Sequence, residues 1–166
     1  SPAEQLAIGR SRVLLAVRRG LLDEAWEGYR AIASERPKRP DADWWLAVSE
    51  LAGALLDAGR TEDALAILPH ITSLAVSEDQ VVESLLQSAG AHIALKRIPE
   101  AVNTLGRFRR DFPNRPEAIP VVLRLAELLR ETNNALTAAE YFAEVAANDT
   151  AALPLRYRAG ISRAWC

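Results

Sequence analysis

Apolar residues recur along this chain at the spacing of a helix face, and nowhere with the two-residue alternation of a strand. Leu6, Val13, Leu14 and Val17 predict a helix over about 3–19, closed by Gly20 as a C-cap. A second helix, about 22–35, carries Ala25, Trp26, Tyr29 and Ile32, and Arg36-Pro-Lys-Arg-Pro40 stops it, since proline lacks an amide and restricts its predecessor. Asp41 or Asp43 caps a third helix, about 42–58, with Trp45, Val48, Leu51, Ala52 and Leu55 on its apolar face. Its partner runs over about 62–75. Ser77 with Gln80 three residues on has the form of a capping box, opening a helix that carries Val82, Leu85, Leu86, Ala89 and Ile93. Pro99 stands where a first-turn proline belongs, ahead of Ala101, Leu105 and Phe108. Asn114 with Glu117 is the next expected cap, and Pro120 either restarts the following helix or kinks it; Leu123, Leu125, Ala126 and Leu129 continue that face to about 132. A further helix holds Ala138, Phe142 and Val145, and Thr150 is expected to cap a ninth over about 151–165, with Pro154 inside its first turn. Nine helices joined by short turns predict antiparallel helical hairpins.

The hairpins repeat. Gly59-Arg-Thr-Glu-Asp-Ala64 has counterparts beginning at Gly20, Lys96 and Asn133. The aligned alanines, Ala25, Ala64, Ala101 and Ala138, are 39, 37 and 37 residues apart. A near-constant period in this range marks stacked repeats, each unable to bury its apolar side without a neighbour. Small residues, Ala52, Ala89, Ala126 and Gly160, recur in the first helix of each hairpin, where bulk would hold the two helices apart.

These residues resemble the tetratricopeptide repeat family, and the resemblance covers nearly the whole chain. Leu51-Ala52, Ser88-Ala89, Leu125-Ala126 and Ala159-Gly160 match the family's small pair in the first helix. The four aligned alanines match its alanine, and Tyr29, Leu68, Leu105 and Phe142 fall at its aromatic place four residues on. Pro37 and Pro113 match the closing proline, whereas Val76 departs from it, and the period here is longer than the family's usual one. The resemblance implies an all-α fold: a right-handed α-α superhelix of about four hairpins plus a final helix. The whole of 1–166 is then a single array, with repeats at about 3–37, 42–76, 78–113 and 115–149 and a terminal helix at 151–165. The Phe-Pro-Asn-Arg-Pro turn at 112–116 resembles that of cell-envelope members in bacteria.

Composition adds limits. Charged residues are 25% and hydrophobic residues 49%, as in ordered proteins, and the net charge of −2 gives no global basic field. No apolar run approaches the roughly 20 residues that cross a bilayer. The single cysteine, Cys166, can form no internal disulfide. There is no methionine, even at position 1, so the chain is expected to be a processed form or a segment of something longer. Only Lys38 and Lys96 among the 20 basic residues are lysines, which with abundant alanine points to a GC-rich bacterial genome; cytoplasm and periplasm or envelope both remain open.

Catalytic chemistry finds no foothold in the sequence. His70 and His92 are the only histidines and have no metal-ligand spacing, so neither metal nor cofactor is expected, and His70 is expected to be solvated. Ser73, Ser77 and Ser84 lack a nucleophile-elbow setting, and no phosphate loop follows a strand. Arg107, Arg109 and Arg110 surround Phe108, but that ring falls on the buried stripe, which leaves the arginines as a solvated face and makes nucleic-acid binding the weakest reading. Of Trp44 and Trp45, one is expected to pack and the other to be partly exposed.

Partner binding remains, and successive first helices of such repeats commonly line a groove that takes a peptide or helix. The family geometry would put Arg10, Ser49, Glu50, Asp57, Glu83, Gln87, Arg124, Glu127 and Glu131 there. The family's carboxylate clamp uses lysine, arginine and asparagine at equivalent places. The largely acidic middle here implies instead a basic or amide-rich ligand. Trp165 on the ninth helix is a candidate end-face contact, the helix either capping the array or presenting an apolar face to a missing continuation of it. The leading reading is a non-catalytic scaffold for a protein or peptide. A structural spacer or self-assembly module, with a homo-oligomer formed through the terminal helix, is the alternative.

Overall fold

The computed structural model describes residues 2–33 and 41–166, and side chains from residue 4 onward. Pro37 and the 36–40 helix stop lie outside the described residues. Among those residues nine helices and no strand occur: α1 (Pro2–Arg18), α2 (Leu22–Ile32), α3 (Ala42–Asp57), α4 (Thr61–Leu74), α5 (Glu78–Ala94), α6 (Ile98–Asp111), α7 (Ala118–Glu131), α8 (Ala135–Ala147) and α9 (Leu153–Ala164). They fall into two compact units, Ser1–Leu95 and Lys96–Cys166, whose boundary lies in the turn between α5 and α6.

The four turns share one backbone feature. Gly20, Gly59, Lys96 and Asn133 all have left-handed φ angles, of 74°, 73°, 57° and 61°. Each stands five residues before one of the aligned alanines. The residue after the left-handed one donates its amide back to the carbonyl five positions earlier: Leu21 to Ala16, Arg60 to Leu55 and Asn134 to Leu129, at 2.8–2.9 Å. This Schellman arrangement satisfies carbonyls that the helix end leaves open, and it aims the next helix back along the first. Glycine takes that conformation freely and asparagine tolerates it, whereas lysine is strained there.

The alanines then decide how close the helices come. Ala25, Ala64, Ala101 and Ala138 are each 0% exposed, and Tyr29, Leu68, Leu105 and Phe142, one turn further on, are all buried. Among first-helix residues Ala52, Ala89 and Ala126 are buried too. In α9 the buried small residue is Ala159, and Gly160 is exposed. The expected Gly160 lies one position too late, because the last repeat is shorter than the period of the others.

In the first unit α3 is the central helix, packed by α1, α2, α4 and α5. It is buried on nearly every side, so Trp44 and Trp45 are both in the core and the expected exposed member of the pair does not exist. Trp44 stacks on Tyr29 at 6.0 Å and meets His70 edge-on at 6.4 Å. His70 is not solvated: it is half-buried, and its Nδ1 lies 3.1 Å from the Tyr29 hydroxyl. The second unit packs α7 against α6, α8 and α9, with Phe108 and Phe142 fully buried. Each such buried ring removes enough apolar surface from water to contribute roughly 1.5–3 kcal/mol.

Helix starts follow the sequence in some places and depart from it in others. Asp41 caps α3 by accepting from the Trp44 amide at 2.9 Å. Ser77 accepts from the Gln80 amide at 3.3 Å, while the Gln80 side chain accepts from the Val76 amide at 2.7 Å, one residue before the position a capping box uses. Asn114 caps nothing; α7 begins after Glu117 without a side-chain cap, and Pro120 sits in its first turn, where its missing amide needs no partner. Thr150 is no cap either. Its amide and hydroxyl both donate to Asn148 Oδ1, at 2.9 and 2.7 Å, and α9 starts after Ala152.

These turns make a stability prediction. A Cβ added at Gly59 meets nothing within 4 Å, so Gly59→Ala tests backbone conformation alone. It is expected to cost about 1 kcal/mol, and Lys96→Gly to gain about 0.5–1 kcal/mol. Urea unfolding midpoints at constant slope measure both.

Candidate partner-binding surface

First helices lie side by side within each unit: α1 against α3 and α3 against α5 in the first, α7 against α9 in the second. Side chains tie them together. The Arg18 guanidinium makes a two-pronged ion pair with Glu50, at 2.7 and 3.0 Å, linking α1 to α3. Ser49 donates to Glu83 at 3.3 Å, linking α3 to α5, and Gln87 donates to the same carboxylate oxygen at 3.3 Å. Arg10 reaches from α1 to the capping Asp41 and lies 5.5 Å above the Trp44 ring.

In the second unit Glu127 on α7 is buried between two arginines, Arg124 at 3.1 Å and Arg158 of α9 at 2.5 Å. Two positive groups around one buried carboxylate satisfy it fully and fix α9 on α7. Asp57 and Glu131 are exposed near the ends of α3 and α7. The nine sequence-predicted surface residues are thus of two kinds. Arg10, Ser49, Glu50, Glu83, Gln87, Arg124 and Glu127 bond to neighbouring protein groups, and of the nine Asp57, Glu83 and Glu131 are acidic groups exposed to solvent. Trp165 is solvent-exposed.

The electrostatics follow from these pairs. The hydrogen bond from Arg18 holds the Glu50 carboxyl below the ordinary carboxylate range, burial opposes that effect and the Arg18 charge assists it. The bond to Glu50 in turn raises the Arg18 guanidinium. Arg109 is raised by its hydrogen bond to Glu144, 2.8 Å away, and lies 4.8 Å over the Tyr141 ring. Sequence reasoning missed that pair. It lines a cleft of about 260 Å³ together with Ala118, Ile119, Val122 and Val145, where the end of α6, the start of α7 and the end of α8 meet. Among the described residues no group of acidic, histidine and cysteine side chains could hold a metal ion, and no helix is long and apolar enough to cross a membrane.

The Glu50 shift has a checkable sign. Its folded-state pKa is depressed, so the pair stabilises the fold above the unfolded-state carboxylate pKa, and the contribution is lost as pH falls through the folded value. Arg18→Gln is expected to raise the Glu50 titration midpoint toward that of a free carboxylate, read by carboxyl-carbon NMR.

Residues 83–115 match a tetratricopeptide repeat family model. No curated protein matches the chain. Two crystal structures of nearly identical TPR-like repeats, from a Podosopora anserina putative kinesin light chain and from a single-substitution variant of it, are similar over 97% of this chain and 89% of theirs. Identity is 18% in both, and the TM-scores are 0.60 and 0.61. This chain therefore has a TPR-like all-α fold of helical hairpins, and one stretch of it carries the tetratricopeptide repeat signature itself.

Proposed function

We propose that the chain is a non-catalytic scaffold that holds a protein or peptide partner along the faces of its first helices. TPR-like repeats generally mediate protein–protein interaction, and one observation carries the reading here: α1, α3 and α5 form a continuous side-by-side surface braced by Arg18–Glu50 and Ser49–Glu83. Bracing of this kind pre-organises a surface and lowers the ordering cost of binding. The charge left facing outward, on Asp57, Glu83 and Glu131, favours a basic or amide-rich segment. Arg18 is committed to Glu50 and Arg10 to Asp41, which argues against a clamp for a terminal carboxylate. We read residues 1–166 as one repeat array, on the constant spacing of Ala64, Ala101 and Ala138 across the 95/96 boundary. The arginine excess supports a bacterial source.

A second reading is favoured by a different observation. Leu153, Tyr157, Ile161 and Trp165 form an exposed apolar stripe along α9, the kind of face that self-assembly covers.

Peptide-array binding, followed by titration of the hits, tests the first reading. Basic or amide-rich peptides are expected to bind, and Glu83→Arg to weaken them about tenfold, as loss of a central contact does. Capture of acidic C-terminal peptides instead would overturn it. So would a preference for single-stranded RNA with steep loss of affinity on adding salt.

A further inference from the structure

We infer that the cleft where α6, α7 and α8 meet is a second binding site, which takes a benzyl-sized side chain of a partner peptide together with the uncharged backbone amide beside it. The walls are internal elements of the second unit, with α9 still to follow in the chain. None of the lining residues belongs to the surface assigned above to the first helices, so the inference goes beyond that reading.

Size and lining set the apolar part of the ligand. The cleft measures about 260 Å³, and Ile119, Val122 and Val145 give it an apolar floor. A dry apolar cavity of roughly 150 Å³ takes benzene. This one has room for a ring and for the amide group of the same residue. Apolar walls with a few fixed polar groups are the usual make-up of a ligand site.

The polar groups set the rest. Arg109 is held in place: it donates to Glu144 at 2.8 Å, and its guanidinium lies 4.8 Å over the Tyr141 ring. These contacts leave its Nε buried with no acceptor among the described residues. A buried N–H in that state bears the desolvation cost of a bond not made, and a ligand oxygen would relieve it. Glu144 receives Arg109 through Oε2, which leaves Oε1 as an acceptor. Asn148 Oδ1 is occupied by the Thr150 amide and hydroxyl, so the Asn148 side chain offers its NH₂ as a donor. Donors and an acceptor around one apolar floor match an amide, whose carbonyl accepts while its N–H donates.

Charge argues against an ion. The arginine and the glutamate neutralise each other. A carboxylate entering the cleft would meet Glu144, and an ammonium would meet Arg109. Either ion would be desolvated with no counter-charge left to compensate it. An uncharged ligand avoids that cost and still meets the unused donors and acceptor.

Methyl-resolved NMR of the 166-residue chain, titrated with phenylalanine derivatives, tests the inference. N-acetylphenylalanine methylamide is uncharged, N-acetylphenylalanine carries a carboxylate, and phenylalanine methylamide carries an ammonium. The uncharged compound is expected to shift the Ile119, Val122 and Val145 methyls saturably and to bind about fivefold more tightly than either ion. N-acetylalanine methylamide, which lacks the ring, is expected to leave those methyls unmoved. A blocked pentapeptide with phenylalanine among glycines is expected to bind at least as tightly as the free uncharged compound. Arg109→Lys keeps a positive charge opposite Glu144 but removes the Nε donor, and is expected to weaken binding about threefold to tenfold. Unchanged circular dichroism and urea midpoints check that this variant folds, and the ranking of compounds on the wild-type chain needs no variant. Equal affinity for the three phenylalanine compounds, tighter binding of the carboxylate, or no saturable shift at these methyls would overturn the inference. So would a pentapeptide that binds more weakly than the free compound, or a folded Arg109→Lys chain that binds as the wild type does.

Discussion

The closeness of two helices in a hairpin is the constraint on which this structure depends. Within the units a left-handed residue, Gly20, Gly59 or Asn133, ends the first helix of a hairpin, and the alanine five residues later has no exposed surface at all. Neither feature works alone. Without the tight reversal the second helix would not return at the right height, and without the small side chain it could not approach closely enough to bury Tyr29, Leu68 or Phe142. Side chains larger than alanine would force off-rotamer packing of the kind that costs about 1–3 kcal/mol in a filled core. The chain repeats this solution within its units at Gly20, Gly59 and Asn133, and the same left-handed backbone recurs at Lys96.

That repetition is why so much of the fold is legible in the sequence. Spacing alone reveals the hairpins, because the alanines are in phase and the turn residues precede them by a fixed interval. Caps are legible at Ser77, where one polar side chain has no competitor, and at Asp41 down to a choice with Asp43. They are illegible where a second polar group intervenes: Asn148 captures both the amide and the hydroxyl of Thr150, so that threonine serves a turn and not a helix. The burial of both Trp44 and Trp45 escapes a reading that gives each helix one apolar face, because α3 has neighbours on almost every side. His70 escapes it for a related reason. Its partner, Tyr29, is 41 residues away, and only packing brings them together.

The candidate surface is partly legible. The residue types on the first helices can be read, but their commitments cannot. Glu50 looks like free acidic surface and is paired with Arg18, 32 residues earlier; Glu127 looks the same and is held by arginines on two helices. Long-range ion pairs follow from how helices are stacked, and no local pattern announces them. The Arg109–Glu144 pair at its cleft is invisible for the same reason. What faces outward is accordingly a smaller set of groups, dominated by Asp57, Glu83 and Glu131.

The placement of the indole rings has a consequence for watching this molecule at work. Trp44 and Trp45 are sealed inside the first unit, with Trp26 half-buried against Tyr29 beside them, whereas Trp165 stands in water at the end of α9. One chain therefore carries two optical environments, a shielded group with emission toward the blue and a wetted ring with emission toward the red. A quencher dissolved in the buffer reaches the wetted ring far more readily than the sealed pair. Events at α9 can thus be followed separately from the integrity of the core, without attaching a dye.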